Sequence, residues 1–206
     1  MARLNVNPTR MELKKLKGRL STAVRGHKLL KDKSDEMIRR FSLLIRENKA
    51  LRDEVESELA FVLRQFSVAR SVTPSYEAEA AFAMPTVSVD AECEIATVMG
   101  VEVPKISVSS KKRSDDLPYA FSEITSEADY SVARAADLIP KMLRLAQIEK
   151  TVRMLSDEIE RNKRRVNALE YVMIPQLEET IKYIKSKLDE NERAAVIRLM
   201  KVKNRG

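Results

Sequence analysis

From Leu13 the chain sets apolar or small side chains at alternating intervals of three and four: Leu13, Leu16, Leu20, Ala23, His27, Leu30, Ser34, Met37, Phe41, Leu44, Asn48, Leu51 and Val55. This alternation is the seam of a coiled coil, in which one helix face meets a second helix every 3.5 residues. A step of four leads to Leu59, after which Val62, Phe66 and Ala69 resume the pattern. The added residue is a stutter, which relaxes the supercoil locally. Asn7-Pro8 supplies a capping side chain and a proline at the first turn, and no further proline occurs before Pro74. The pattern therefore predicts an N-terminal coiled-coil helix within residues 1–71, about 95 Å long at the rise of an α-helix.

A second seam follows in the last third: Leu145, Ile148, Val152, Leu155, Ile159, Asn162, Val166, Leu169 and Met173, then Leu177, Ile181, Ile184, Leu188, Asn191 and Ala195. It predicts a C-terminal coiled-coil helix within residues 131–206. Its stutter falls beside Pro175, which removes one helix hydrogen bond and predicts a bend, since the seam continues beyond it. Pro140 marks a second candidate bend. Two seams of similar length joined by a long connection predict an antiparallel pair with both termini at one tip. Leu20, Leu30, Phe41, Leu44, Leu155, Ile159, Val166 and Leu169 are the expected buried seam.

Residues 72–130 break the helical period and hold four of the seven prolines. Thr86-Val-Ser-Val, the run from Glu94 to Val103, Ile106 and Val108 are rich in β-branched residues, with Gly100 at a reversal, and they predict a short β-hairpin over about 94–108. A polar excursion over residues 111–116 precedes a return to helix, capped at Ser122 or Ser126. The expected class is thus dominated by α-helix, a long antiparallel two-helix coiled coil with one inserted hairpin.

Composition sharpens this picture. Four glycines, no tryptophan and 33% charged residues leave too few turn formers for a sandwich, barrel or phosphate-cradling loop. Ten aromatic residues are too few to fill a thick globular core. A single cysteine, Cys93, excludes an internal disulfide and a cysteine metal cluster, and suits a reducing compartment. No leader or spanning helix is read, because the longest apolar runs fall far short of the length a bilayer requires. Charge is polarised: residues 1–71 hold 17 Lys/Arg against 9 Asp/Glu, residues 72–130 hold 4 against 11, and residues 131–206 hold 17 against 11. Both termini are basic and the middle is acidic.

No catalytic, cofactor or metal constellation emerges. His27 lies on the seam and reads as a register-setting polar residue. Asn48 and Asn162 also occupy seam positions, where a facing pair would help to fix register. Cys93 reads as a small strand hydrophobe. Arg161-Asn-Lys-Arg-Arg165 packs four cations into one and a half turns, which repel unless acceptors meet them. A basic coiled coil could bind nucleic acid electrostatically, yet base-stacking aromatics are lacking and the acidic middle opposes it. A static scaffold or tether would share the periodicity, but gives no reason for basic ends and an acidic insert.

Three strings carry a family resemblance: Asn7-Pro-Thr-Arg-Met-Glu-Leu13, Gly26-His-Lys-Leu-Leu-Lys-Asp-Lys33, and the run Arg164-Arg-Val-Asn-Ala-Leu-Glu-Tyr-Val-Met-Ile-Pro-Gln-Leu-Glu-Glu-Thr-Ile181. They closely resemble the D subunits of the V-type (archaeal and bacterial A/V-type) rotary ATPases, and the segment Met99-Gly-Val-Glu-Val-Pro104 resembles that family's short hairpin more loosely. The resemblance implies a central-stalk axle, cytoplasmic and peripheral to the membrane, that couples ATP hydrolysis or synthesis to ion translocation without being an enzyme or carrying a cofactor. Its implied partners are the hexameric ring of catalytic A and B subunits, the F subunit of the central stalk, and the funnel-shaped subunit above the membrane rotor ring, with neither nucleic acid nor membrane insertion. On this reading Arg10, Lys14, Lys17, Arg161, Lys163, Arg164, Arg165, Arg198 and Lys201 face the catalytic ring. Ile95, Val98, Met99, Val101, Val103 and Ile106 then face the foot partners.

Overall fold

In the computed structural model the chain runs α1 (Arg10–Val72), α2 (Ser75–Ala81), β1 (Val87–Val98), β2 (Val101–Lys112), α3 (Ser126–Ala168), a π-helical turn (Leu169–Met173) and α4 (Ile174–Lys203). It describes residues 3–81, 83, 87–112 and 126–204. Contacts group the chain into two units, Met1–Ile38 with Ile159–Gly206, and Arg39–Glu158.

In the first unit, α1 starts later than the Asn7 cap predicts. Thr9 takes that role: its Oγ1 accepts the Glu12 N–H at 3.2 Å, and its carbonyl accepts the Leu13 N–H at 3.0 Å. Thr9 and Glu12 have the capping-box spacing, which competes with Asn7 for the helix start. The core here gathers Leu16, Ala23, Leu177 and Ile184, flanked by half-buried Leu13, Leu20, Leu169, Ile181 and Leu188. Residues 3–9 fold back over α4: the Leu4 N–H donates to Thr180 Oγ1 at 3.2 Å, and the Arg3 guanidinium lies 4.2 Å from the centre of the Tyr183 ring. Pairs between α1 and the helical run from the end of α3 through the π turn to α4 fall in reverse order, Arg10 with Glu192, His27 with Glu170 and Met37 with Asn162, so the packing is antiparallel.

Pro175 neither ends nor splits the helical run. The Ile174 N–H reaches back five residues to the Leu169 carbonyl, and α4 follows at once. The extra residue of the stutter, seen in the eight-residue step from Leu169 to Leu177, is taken up by this π turn. Proline, which has no N–H to give, falls where the i to i−4 ladder is already broken. Pro140 lies inside the unbroken α3.

In the second unit, Val55, Val62, Ala69, Leu138, Ile148 and Leu155 are buried, together with the small residues Ala78, Ala128 and Ser131. Phe61 and Tyr130 meet edge to face with ring centres 6.1 Å apart. Lys141 bridges Glu54 at 2.7 Å and Glu58 at 2.6 Å, and Arg144 meets Glu47 at 3.0 Å, so here too α3 runs antiparallel to α1.

The hairpin is longer than predicted, with twelve residues in each strand. Alternation does not stop at Glu94: Asp90 and Glu92 keep the period of two, and acidic side chains are compatible with a strand whose face is open to water. β2 also includes Lys111 and Lys112, so the polar excursion is shorter than expected, and residues 113–116 lie outside the described residues. Of the two expected caps, Ser126 opens α3, while Ser122 is not among the described residues. The reversal is a two-residue turn in which Met99 (φ 54°) and Gly100 (φ 82°) both take left-handed backbone, as a type I′ hairpin requires. Glycine does so freely, whereas methionine carries strain.

Candidate interaction surfaces

Among the described residues no group of three or more His, Cys, Asp or Glu side chains is placed to hold a metal ion, and no helix is long and apolar enough to cross a membrane.

The first unit carries the expected ring-facing cations. Arg10, Lys14 and Lys17 are exposed on the first turns of α1, and Arg198 and Lys201 are exposed near the end of α4. Arg10 already pairs with Glu192. The tail of α4 is not purely basic: Val196, Ile197, Leu199, Met200 and Val202 are each about half or more exposed. Charge counting passed over these apolar side chains. Their signal was present as an apolar run with no matching seam on α1.

Arg161, Lys163, Arg164 and Arg165 are all exposed on α3. Part of their demand for acceptors is met within the helix, where Arg164 pairs with Glu160 one turn back and Arg165 Nη1 donates to Asn162 Oδ1 at 3.4 Å. Asn162 itself is buried, and its amide donates to the sulfur of Met37 at 3.4 Å. In the second unit, Asn48 has its Nδ2 enclosed with no hydrogen-bond partner. His27 is half-buried and sits 3.3 Å from Glu170.

Of the expected seam residues, Leu155 and Val166 are buried, and Leu20, Leu30, Phe41, Leu44, Ile159 and Leu169 are half-buried. Beside the seam, a groove of about 750 Å³ runs between Gly18, Thr22 and Gly26 of α1 and Leu169, Met173 and Gln176 at the π turn. Cβ positions built on Gly18 and Gly26 meet nothing within 4 Å, so these glycines leave open space.

In the second unit the hairpin divides its expected partner residues between two roles. Val103 is 4% exposed and packs inward, and Val98, Met99, Val101 and Ile106 are half-buried, whereas Ile95 is 77% exposed. The strand backbone is tied to α3, since the Ile106 N–H donates to Gln147 Oε1 at 2.8 Å. Gln147 escaped the sequence reading, because a helix side chain that reaches a distant strand backbone has no local signature. Beside it, a second groove of about 640 Å³ is lined by Leu43 and Leu44 of α1, Val98 and Val103 of the hairpin, and Ile148 of α3.

Comparison with known proteins bears on the whole chain. The model of the ATP synthase D-subunit family matches residues 12–204. The chain is 52% identical over 206 residues to the V-type ATP synthase D subunit of Acetivibrio thermocellus, covering 99% of this chain and 93% of the relative. It is 49% identical over 206 residues to the protein of that name from Streptococcus pyogenes serotype M3, covering 98% and 99%. With the one from Thermoanaerobacter sp. (strain X514) it shares 48% over 203 residues, covering 98% and 97%.

Proposed function

Because the chain belongs to the family of ATP synthase D subunits, we propose that it is the non-catalytic central shaft of a V-type ATPase. It couples ATP turnover in a ring of A and B subunits to ion movement in a membrane ring. The antiparallel packing of its N- and C-terminal helices carries this reading: two strands joined along a seam resist bending and twisting better than one, as a part that transmits torque must. Such a part needs no chemistry of its own. It acts by presenting different faces to successive catalytic interfaces, each of which then favours a different conformation.

The contacts follow from the same logic. A turning shaft must release each contact in the ring, so exchangeable charge contacts from Arg10, Lys14, Lys17, the Arg161–Arg165 cluster, Arg198 and Lys201 suit it better than a deep fixed interface. The exposed apolar side chains of residues 196–202 add a greasy bearing surface at the same end. The hairpin end, acidic in composition, meets the foot partners, the F subunit and the funnel-shaped subunit, through Ile95, Met99 and their neighbours. The protein works at the cytoplasmic side of the membrane without entering it.

Reconstitution tests this. Purified A and B subunits should sustain ATP hydrolysis better with the chain than without it, while the chain alone hydrolyses none. Deleting residues 95–106 should leave the coil folded and weaken docking of the foot partners. If that deletion instead blocked entry into the A and B ring, the polarity proposed here would be reversed.

A further inference from the structure

The two edges of the hairpin are not alike. Since Ile106 gives its N–H to Gln147, its backbone faces away from β1, and the Cys93–Ile106 pair exchanges no ladder bonds. Alternation then puts Ala91–Val108 and Ile95–Pro104 in the same class. Pro104 agrees with this, because it has no N–H and sits where the ladder requires none. β2 is thereby closed to another strand: Pro104 offers no donor, the Ile106 donor is taken by α3, and Lys105 stands between them.

On β1 the backbone groups of Ala91, Cys93 and Ile95 point outward, and no strand among the described residues pairs with them. Residues 91–95 are exposed. β1 contains neither lysine nor proline, two residues that commonly blunt an edge. It carries Asp90, Glu92 and Glu94 at alternate positions, hence on one face. A second copy of β1 laid alongside would oppose carboxylate to carboxylate. A strand with cations at alternate positions would match them.

We infer that the outer edge of β1 is a strand-addition site for an extended segment of a partner protein that carries Lys or Arg at alternate positions. Backbone bonds to Ala91, Cys93 and Ile95 supply the attachment, and Glu92 and Glu94 select the sequence. The inference rests on the hairpin being a partner-binding element, and adds how it binds and what it selects.

The test uses the full chain and a fluorescent, end-blocked peptide of alternating Lys and Val or Thr. Fluorescence anisotropy should report binding that weakens with salt, and amide hydrogen exchange at Ala91, Cys93 and Ile95 should slow about tenfold or more at saturation. Ala91→Pro removes one outward donor without touching the ladder, and should weaken binding about tenfold. Glu92→Lys combined with Glu94→Lys should transfer the preference to a peptide bearing Glu in place of Lys. Binding with no protection of those three amides would overturn the inference, as would protection in the chain alone at rising concentration, which would make a second copy the occupant. If Ala91→Pro disturbed the hairpin, exchange in the native chain decides by itself. A chain lacking residues 95–106 that loses its foot partners, while Ala91→Pro retains them, would leave the foot reading standing and remove this one.

Discussion

Single side chains matter most where the seam is closed. Leu155 is fully enclosed, and protein interiors are packed to the density of organic crystals. Leu155→Ala should therefore leave a cavity and cost about 2–5 kcal/mol, read as a lower urea midpoint at unchanged slope. An unchanged midpoint would remove Leu155 from the interior. Leu44, half-buried beside a groove, has room to relax and should lose less on the same change. Met99 offers the opposite sign, since its φ of 54° is costly for a side chain with a Cβ. Met99→Asn should stabilise the hairpin by up to about 1 kcal/mol, because asparagine tolerates left-handed backbone. Slower amide exchange in β1 and β2 with unchanged exchange in α1 is the expected signature.

Among the elements, the long helices were legible because a seam repeats, and every repeat restates the same prediction. The stutter beside Pro175 was legible as an irregularity, but the spacing alone did not distinguish a bend from the π turn that absorbs it. Deleting Val172 together with Pro175→Ala should give a regular α-helix with Leu169 and Leu177 still on one face, and a nearly unchanged melt. Deleting Val172 alone should cost about 3 kcal/mol, because proline then falls inside an intact ladder. What was not legible depended on contacts remote in sequence or on two neighbours competing for one role. Thr9 displaced Asn7 as the cap, Met37 gave its sulfur to the buried Asn162, and Gln147 tied down a strand.

Lys141 gives the elements of the second unit a pH dependence. Hydrogen bonds to Glu54 and then Glu58 hold its ammonium above the ordinary lysine value of 10.5. A raised value stabilises the folded state in full below pH 10.5 and ceases to do so as pH rises through the folded value. Lys141→Met should therefore flatten the alkaline end of the stability curve while leaving the shape near neutrality unchanged. Parallel alkaline limbs for the two chains would show that the bridge contributes nothing.

For the whole molecule, family and helical pairing were both readable, whereas the surface residues stayed candidates: Val103 of the hairpin packs inward, and charge gave no hint of the exposed apolar side chains of residues 196–202. Replacing Arg161, Lys163, Arg164 and Arg165 with Gln should preserve helix content, lower affinity for the A and B ring, and reduce its dependence on salt. Because Glu160 already accepts from Arg164, the affinity loss should be smaller than four independent charge contacts would give, on the order of one to a few kcal/mol. Equal affinity and equal salt slopes for the two chains would assign the cluster to solvent.

The solitary thiol on the hairpin has an optical consequence. Cys93 is the chain's one cysteine, and it is exposed on β1. A maleimide dye therefore attaches at a single known address without any engineering, and its polarisation reports the orientation of the hairpin alone. In an assembly immobilised by its other subunits, that signal should step among discrete levels as ATP is consumed if this chain turns, and hold one level if it is a fixed strut.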